Sequence, residues 1–96
     1  MALATRGGLV LANVLRAIGL FIVTVLVVHI ILVLLDANPA NAFASFISYL
    51  ANVFDLGLSD LFLPPNEKLR VALNYGVAAV IWLVITTLVT RLARRL

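Results

Sequence analysis

Two long runs of residues without a charged side chain dominate the pattern of hydrophobic and polar positions. Residues 17–35 read AIGLFIVTVLVVHIILVLL, and residues 71–90 read VALNYGVAAVIWLVITTLVT. An α-helix needs roughly 20 predominantly apolar residues to cross the hydrocarbon core of a bilayer. The pattern therefore predicts two transmembrane helices, the first over about residues 9–35 and the second over about residues 67–92.

The connecting segment, residues 36–66, carries a third apolar pattern of helical spacing. We expect an amphipathic helix over residues 39–54, with Asn38 as its N-cap and Pro39 in its first turn. Its apolar stripe consists of Phe43, Phe46, Ile47, Leu50 and Phe54. Because its opposite face bears no charge, the helix suits a membrane interface better than open water, so the segment should lie on the membrane or dip into it. The alternative is a loop packed on the outer surface of a partner protein.

Composition agrees with a membrane environment. Hydrophobic residues make up 65% of the 96 residues and charged residues only 11%, more apolar surface than a soluble domain of this size could bury. The chain contains no cysteine, which excludes disulfides and thiolate metal sites. We therefore expect a single membrane domain over residues 1–96. Its fold class is all-α, a two-span transmembrane hairpin with an interfacial amphipathic helix in the loop.

The charges predict how the hairpin is oriented. Five arginines lie before the first run or after the second, whereas all the acidic residues lie between the two runs, with only Lys68 and Arg70 to offset them. The arginines are Arg6, Arg16, Arg91, Arg94 and Arg95, and the acidic residues are Asp36, Asp55, Asp60 and Glu67. The positive-inside rule then places both termini in the cytoplasm and the loop outside. Our expectation is a protein of a bacterial plasma membrane.

Four of these arginines are candidates for contact with lipid headgroups: Arg16, Arg91, Arg94 and Arg95. They can simply orient the spans, or they can attract anionic lipid or an acidic partner. Nucleic-acid binding is not expected, because no aromatic or extended basic surface accompanies the cluster.

Small and hydroxylated residues follow a heptad spacing along the second run. The members of this predicted seam are Ala72, Gly76, Ala79, Leu83, Thr86 and Thr90. Helices in lipid associate through close packing and interhelical hydrogen bonds, both of which small residues permit. The seam can pack only on the first span of the same chain, or it can also contact another membrane protein chain. We favour the second reading, because two helices cannot enclose much of each other's surface.

His29 is the only histidine and the only ionisable group in the first run. An ionisable residue inside a membrane is a candidate for a proton or ion site, although a lone histidine also serves as a hydrogen-bonded packing residue. Ligation of a cofactor would need a second imidazole from another chain, and we expect no cofactor. No nucleophile accompanies a base, and no phosphate-binding or metal-binding motif is present, so we expect neither an enzyme nor a small-molecule substrate.

Several features follow one another along residues 17–90. They are the first run, Asn38-Pro39, Phe43-x-x-Phe46-Ile47, Leu63-Pro64-Pro65 and the second run. This order resembles half of a YggT-type membrane protein, a family that includes YlmG and related chloroplast cytochrome-assembly proteins. Asn66-Glu67-Lys68-Leu69 stands where the family usually has Asp-x-Ser-Pro. The resemblance implies a short apolar hairpin with a scaffold or assembly role, and it transfers no site residues.

Taken together, the patterns favour a small non-enzymatic membrane protein that acts as an assembly or accessory subunit. It would pack through the second span and the loop, onto itself or onto a larger membrane complex, with the bilayer as its surroundings. The alternative is a homo-oligomeric ion or proton channel that uses His29. The two hypotheses differ in the residues that they require inside the assembly, because a conducting pore needs a polar lining and an accessory subunit does not.

Overall fold

The computed structural model describes residues 6–96, which form three α-helices and no strand. They are α1 (Arg6–Leu34), α2 (Ala42–Val53) and α3 (Glu67–Arg94). Two of them, α1 and α3, are long and apolar enough to cross a membrane. The predicted all-α class with two candidate spans is confirmed for this part of the chain. Helix α1 begins three residues earlier than the sequence pattern predicts.

Helix α1 ends in a turn built around Asp36. The Asp36 backbone has a φ of 56°, in the left-handed region that commonly terminates helices. Its N–H donates to the Val33 carbonyl at 3.1 Å, and the Ala37 N–H donates to the Leu32 carbonyl at 2.9 Å. These two bonds satisfy carbonyls that the helix end would otherwise leave without a partner, and they turn the chain toward α2.

The predicted start of the second helix is wrong by three residues. Asn41, rather than Asn38, is the N-cap, and its side-chain oxygen accepts from the N–H groups of Phe43 at 2.9 Å and Ala44 at 3.2 Å. The Asn38 side chain instead accepts from the Ala40 N–H at 3.0 Å. That bond forms a separate turn before the helix, so residues 39–41 are not helical. The helix also ends at Val53, one residue earlier than predicted.

Helix α3 has stabilising groups at both ends. The side chain of its N-cap, Asn66, accepts from the Leu69 N–H at 3.1 Å. Glu67 lies in the first turn, and Arg91 and Arg94 lie in the last. Each of these charges is opposite in sign to the nearest end of the helix dipole, so both ends are stabilised.

Helices α1 and α3 pack side by side and run in opposite directions. At one end Lys68 Nζ lies 2.9 Å from Asp36 Oδ2. Farther along, Gly19 faces Thr86 so closely that a Cβ on Gly19 would lie 2.0 Å from Thr86 Oγ1. Helix α2 packs on α1 beside the first of these contacts. The buried core that the three helices share consists of Ile22, Val25, Leu26, Ala51, Tyr75, Ala78 and Ala79.

Candidate functional site

The loop after α2 is held against α3 by Asn74. This side chain is fully buried. Its Nδ2 donates to the carbonyls of Ser59 at 2.6 Å and Phe62 at 2.9 Å, and its Oδ1 accepts from the Phe62 N–H at 2.8 Å. Both amide protons and the amide oxygen of Asn74 are therefore used by loop backbone. One polar side chain of the second run, Asn74, therefore holds residues 59–62 in place.

Two further α3 side chains bind loop carbonyls. Trp82 Nε1 donates to the Phe54 carbonyl at 2.8 Å, and the two rings meet edge to face with centroids 6.2 Å apart. Arg70 Nη2 donates to the Pro64 carbonyl at 3.2 Å. Because Trp82 lies near the middle of α3, the contact brings the C-terminal end of α2 level with the middle of the long helices.

His29 lies where all three helices meet. Its side chain is 9% exposed, and its ring meets the Tyr75 ring edge to face with centroids 4.7 Å apart. The Tyr75 hydroxyl donates to the side-chain oxygen of Asn52, so α1, α2 and α3 are joined through these three residues. His29 also borders a cavity of about 130 Å³ whose wall includes Ser48. This geometry favours a packing role for the histidine.

Only some residues of the predicted seam of the second span are buried in the structure. Ala79, Thr86 and Thr90 are buried, but Leu83 is 43% exposed. Ala72 and Gly76 are only partly buried, and a Cβ on Gly76 would find no atom within 4 Å. Within this chain the six residues therefore do not form one packed row, and contact of the uncovered ones with another chain stays a prediction. The face of α3 that packs on α1 and α2 is centred on Tyr75, Ala78 and Trp82. The other helices therefore cover only the seam residues that lie next to this face.

Small residues of α1 complete this contact, and the sequence reasoning missed them. Gly8, Ala12 and Gly19 are buried on α1, as Ala78 and Ala93 are on α3. Gly8, Ala12 and Gly19 are separated by 4 and then 7 residues, so they lie on one face of α1. Small residues on one face let helix backbones approach closely, and this spacing can be recognised in the sequence.

The predicted apolar stripe of α2 is likewise buried only in part. Ile47 is 7% exposed and Ala51 is fully buried, so this side of the helix packs on its neighbours. Leu50 and Phe54 pack against the edge of the same core. Phe43 and Phe46 face outward and are each 58% exposed. Small side chains at positions 44, 48 and 51 explain this choice, because they allow α2 to lie close against α1.

Three arginines line a cavity between the N-terminal half of α1 and the C-terminal end of α3. It has a volume of about 360 Å³. Its wall consists of Arg16, Leu20, Leu83, Thr86, Thr87, Thr90, Arg91 and Arg94. All four predicted headgroup residues are exposed, and the fourth, Arg95, does not belong to this wall.

Among residues 6–96, no group of three or more His, Asp or Glu side chains could hold a metal ion. Comparisons with protein-family models, with curated proteins and with solved structures give no match. The resemblance to YggT-type proteins therefore stays a prediction.

Proposed function

We propose that the chain is an integral membrane protein whose helices α1 and α3 span the bilayer. Only 28% of the most apolar 18-residue stretch of each helix is buried inside the fold. The core helices of soluble proteins bury most of such a stretch, whereas lipid accommodates it fully exposed. Arg16 and Arg91 would mark the cytoplasmic boundary, and Asp36 and Lys68 the outer one.

In this arrangement α2 enters the membrane instead of lying on its surface. Trp82 is twelve residues from Arg70, a distance of about 18 Å along the helix. Since the hydrocarbon core is about 30 Å thick, the Phe54 carbonyl bound to Trp82 would lie near its middle. Non-helical backbone is tolerated at that depth only where protein satisfies its polar groups. The bonds from Trp82, Asn74 and Arg70 supply such partners.

The absence of native cysteine allows a direct test of this depth. We would introduce single cysteines at Ala40, in the exposed turn before α2, and at Val53, at its exposed far end. In sealed vesicles, a membrane-impermeant maleimide should label Ala40→Cys and leave Val53→Cys unlabelled until detergent is added. Equal labelling of both cysteines in intact vesicles would refute the re-entrant arrangement.

Within the membrane, we propose that the chain serves as a non-enzymatic assembly or accessory subunit. The observation that carries this function is an open groove on α3 of about 430 Å³, lined by α3 residues only. Its floor contains Ala72 and Gly76, and its walls include Leu73 and Val80. No other part of residues 6–96 fills this groove, so a transmembrane helix of another chain can approach the α3 backbone there.

The test is to fill the groove without disturbing the fold. Gly76→Leu adds a side chain where nothing lies within 4 Å, so the single chain should remain folded while association weakens. Ala17→Leu, at an exposed position of α1, adds similar bulk elsewhere and should leave association unchanged. Native mass spectrometry of the purified protein measures self-association, and cross-linking in native membranes measures association with other chains. If Gly76→Leu changed neither, the groove would not be the contact surface.

A further inference from the structure

The cavity between α1 and the C-terminal end of α3 is rich in positive charge. Arg16 of α1 and Arg91 and Arg94 of α3 line it, and all three are exposed. No acidic residue contributes to its wall. The only salt bridge among the described residues, Lys68 with Asp36, lies at the opposite end of the helices. Guanidinium N–H groups match carboxylate and phosphate oxygens, so three arginines beside one cavity have the chemistry to hold an anion.

The threonines on the wall supply a second, independent sign of a missing ligand. Thr90 is 6% exposed, and its Oγ1 is buried without a hydrogen-bond partner among the described residues. A buried hydroxyl without a partner is uncommon in folded proteins. Threonine in a helix adopts two χ1 rotamers, and the change between them redirects its hydroxyl. Thr87 Oγ1 already donates to the Leu83 carbonyl at 2.8 Å, so it retains acceptor capacity only.

The cavity is polar on one side and apolar on the other. Residues 83, 87, 90, 91 and 94 lie along one stripe of α3, with Leu83 toward the membrane centre and the arginines toward the helix end. Leu20 of α1 faces the same space as Leu83. A bound anion would therefore have an apolar surface next to it on the membrane side, which suits a phosphate that is attached to acyl chains.

We propose that this cavity binds the phosphate headgroup of an anionic phospholipid, with Arg16, Arg91 and Arg94 holding the phosphate oxygens. Basic cavities between transmembrane helices on the cytoplasmic side have the chemistry that such headgroups require. The site rests on the proposed membrane location, but it does not depend on association through the Ala72–Gly76 groove. It would make the chain sensitive to the anionic lipid content of its membrane.

The experiment measures lipid binding to the full chain by native mass spectrometry in a neutral detergent. The probes are phosphatidylglycerol, phosphatidylcholine and inorganic phosphate, and binding is scored on the monomer signal. We expect phosphatidylglycerol to bind more tightly than phosphatidylcholine. Arg91→Gln and Arg94→Gln should each weaken phosphatidylglycerol binding roughly fivefold. Arg95→Gln removes the same charge from the same end outside the cavity and should weaken it less than about twofold.

Equal losses in all three arginine variants would overturn the proposal, because they would indicate attraction by surface charge alone. Displacement of phosphatidylglycerol by an equal concentration of inorganic phosphate would overturn the assignment to a lipid. Thr90→Val keeps the side-chain shape and breaks no hydrogen bond in the structure, so it should fold and weaken binding about threefold. Fluorescence of Trp82, the only tryptophan, verifies folding of every variant. Gly76→Leu should bind phosphatidylglycerol normally, which separates this proposal from the one on association.

Discussion

Gly19 is the residue on which close packing of α1 and α3 most directly depends. A Cβ at this position would lie 2.0 Å from Oγ1, 2.5 Å from Cγ2 and 2.8 Å from Cβ of Thr86. Ordinary van der Waals contact begins at 3.4 Å, so Gly19→Ala requires a displacement of about 1.4 Å, the difference between 3.4 and 2.0 Å. All three atoms belong to a short β-branched side chain that cannot swing away, so the helices themselves must separate.

The expected cost follows from two effects. Extra methyl groups in a well-packed interior destabilise by about 1–3 kcal/mol. Separation also weakens neighbouring contacts, since a gap of 0.5–1 Å loses about a quarter to a half of each dispersion well. We therefore expect Gly19→Ala to lower the free energy of unfolding by about 2–3 kcal/mol.

Gly76→Ala is the matched control for this prediction. It adds the same methyl group to the middle of the other long helix, where no atom lies within 4 Å. Any gain in helix propensity, about 1 kcal/mol for alanine over glycine in water, is common to both variants and cancels in their difference. The stability of each variant can be measured by SDS titration from a mild detergent, with Trp82 fluorescence as the signal.

A double variant sharpens the test. Thr86→Ala removes the Oγ1 and Cγ2 atoms and leaves the Cβ, which would still lie 2.8 Å from the new methyl group. Gly19→Ala combined with Thr86→Ala should therefore recover part of the lost stability, as contacting residues do in a double-mutant cycle. If Gly19→Ala were as stable as Gly76→Ala, the close contact of α1 with α3 at this point would be refuted.

Three further predictions concern the loop, the cap of α2 and the histidine. Asn74→Leu removes three buried hydrogen bonds and should lower unfolding free energy by about 3 kcal/mol in the SDS titration; a loss below about 1 kcal/mol would contradict loop anchoring. Asn41→Ala should lower the free energy of unfolding by about 1 kcal/mol in that titration, and Asn38→Ala should lower it less. A larger loss for Asn38→Ala would indicate that Asn38 is the N-cap, as the sequence predicts. His29→Leu should leave proton flux into liposomes at the wild-type value, and a fall would support the channel alternative.

The long helices could be predicted because their signals are local. Residues 17–35 and 71–90 are apolar over a membrane-spanning length, and Asn66 can cap the helix that follows it without help from the rest of the chain. The start of α2 could not be fixed in the same way. Asn38 and Asn41 are both suitable caps, and the choice depends on the turn that follows α1. Local preference alone does not separate two such candidates.

The packing of the loop could not be predicted, because its partners are backbone groups distant in sequence. Asn74 binds backbone 12 and 15 residues away, and Trp82 binds a carbonyl 28 residues away. Carbonyls carry no residue-specific pattern that a sequence would reveal. The small residues of α1 are different, since the spacing of Gly8, Ala12 and Gly19 is visible in the sequence.

The three faces of α3 explain why another helix could contact its open groove and leave the fold intact. One face, with Tyr75 and Ala78, packs on α1 and α2. A neighbouring face presents Asn74 to the loop, and any partner there would compete for the polar groups that hold non-helical backbone in lipid. The side with Gly76 and Val80 makes no such bond, so a helix can dock on it without breaking an internal contact. Association through the groove should therefore leave the bonds of the loop intact. In the proposed re-entrant arrangement, Val53→Cys should then be equally protected from labelling in the monomer and in the assembled form.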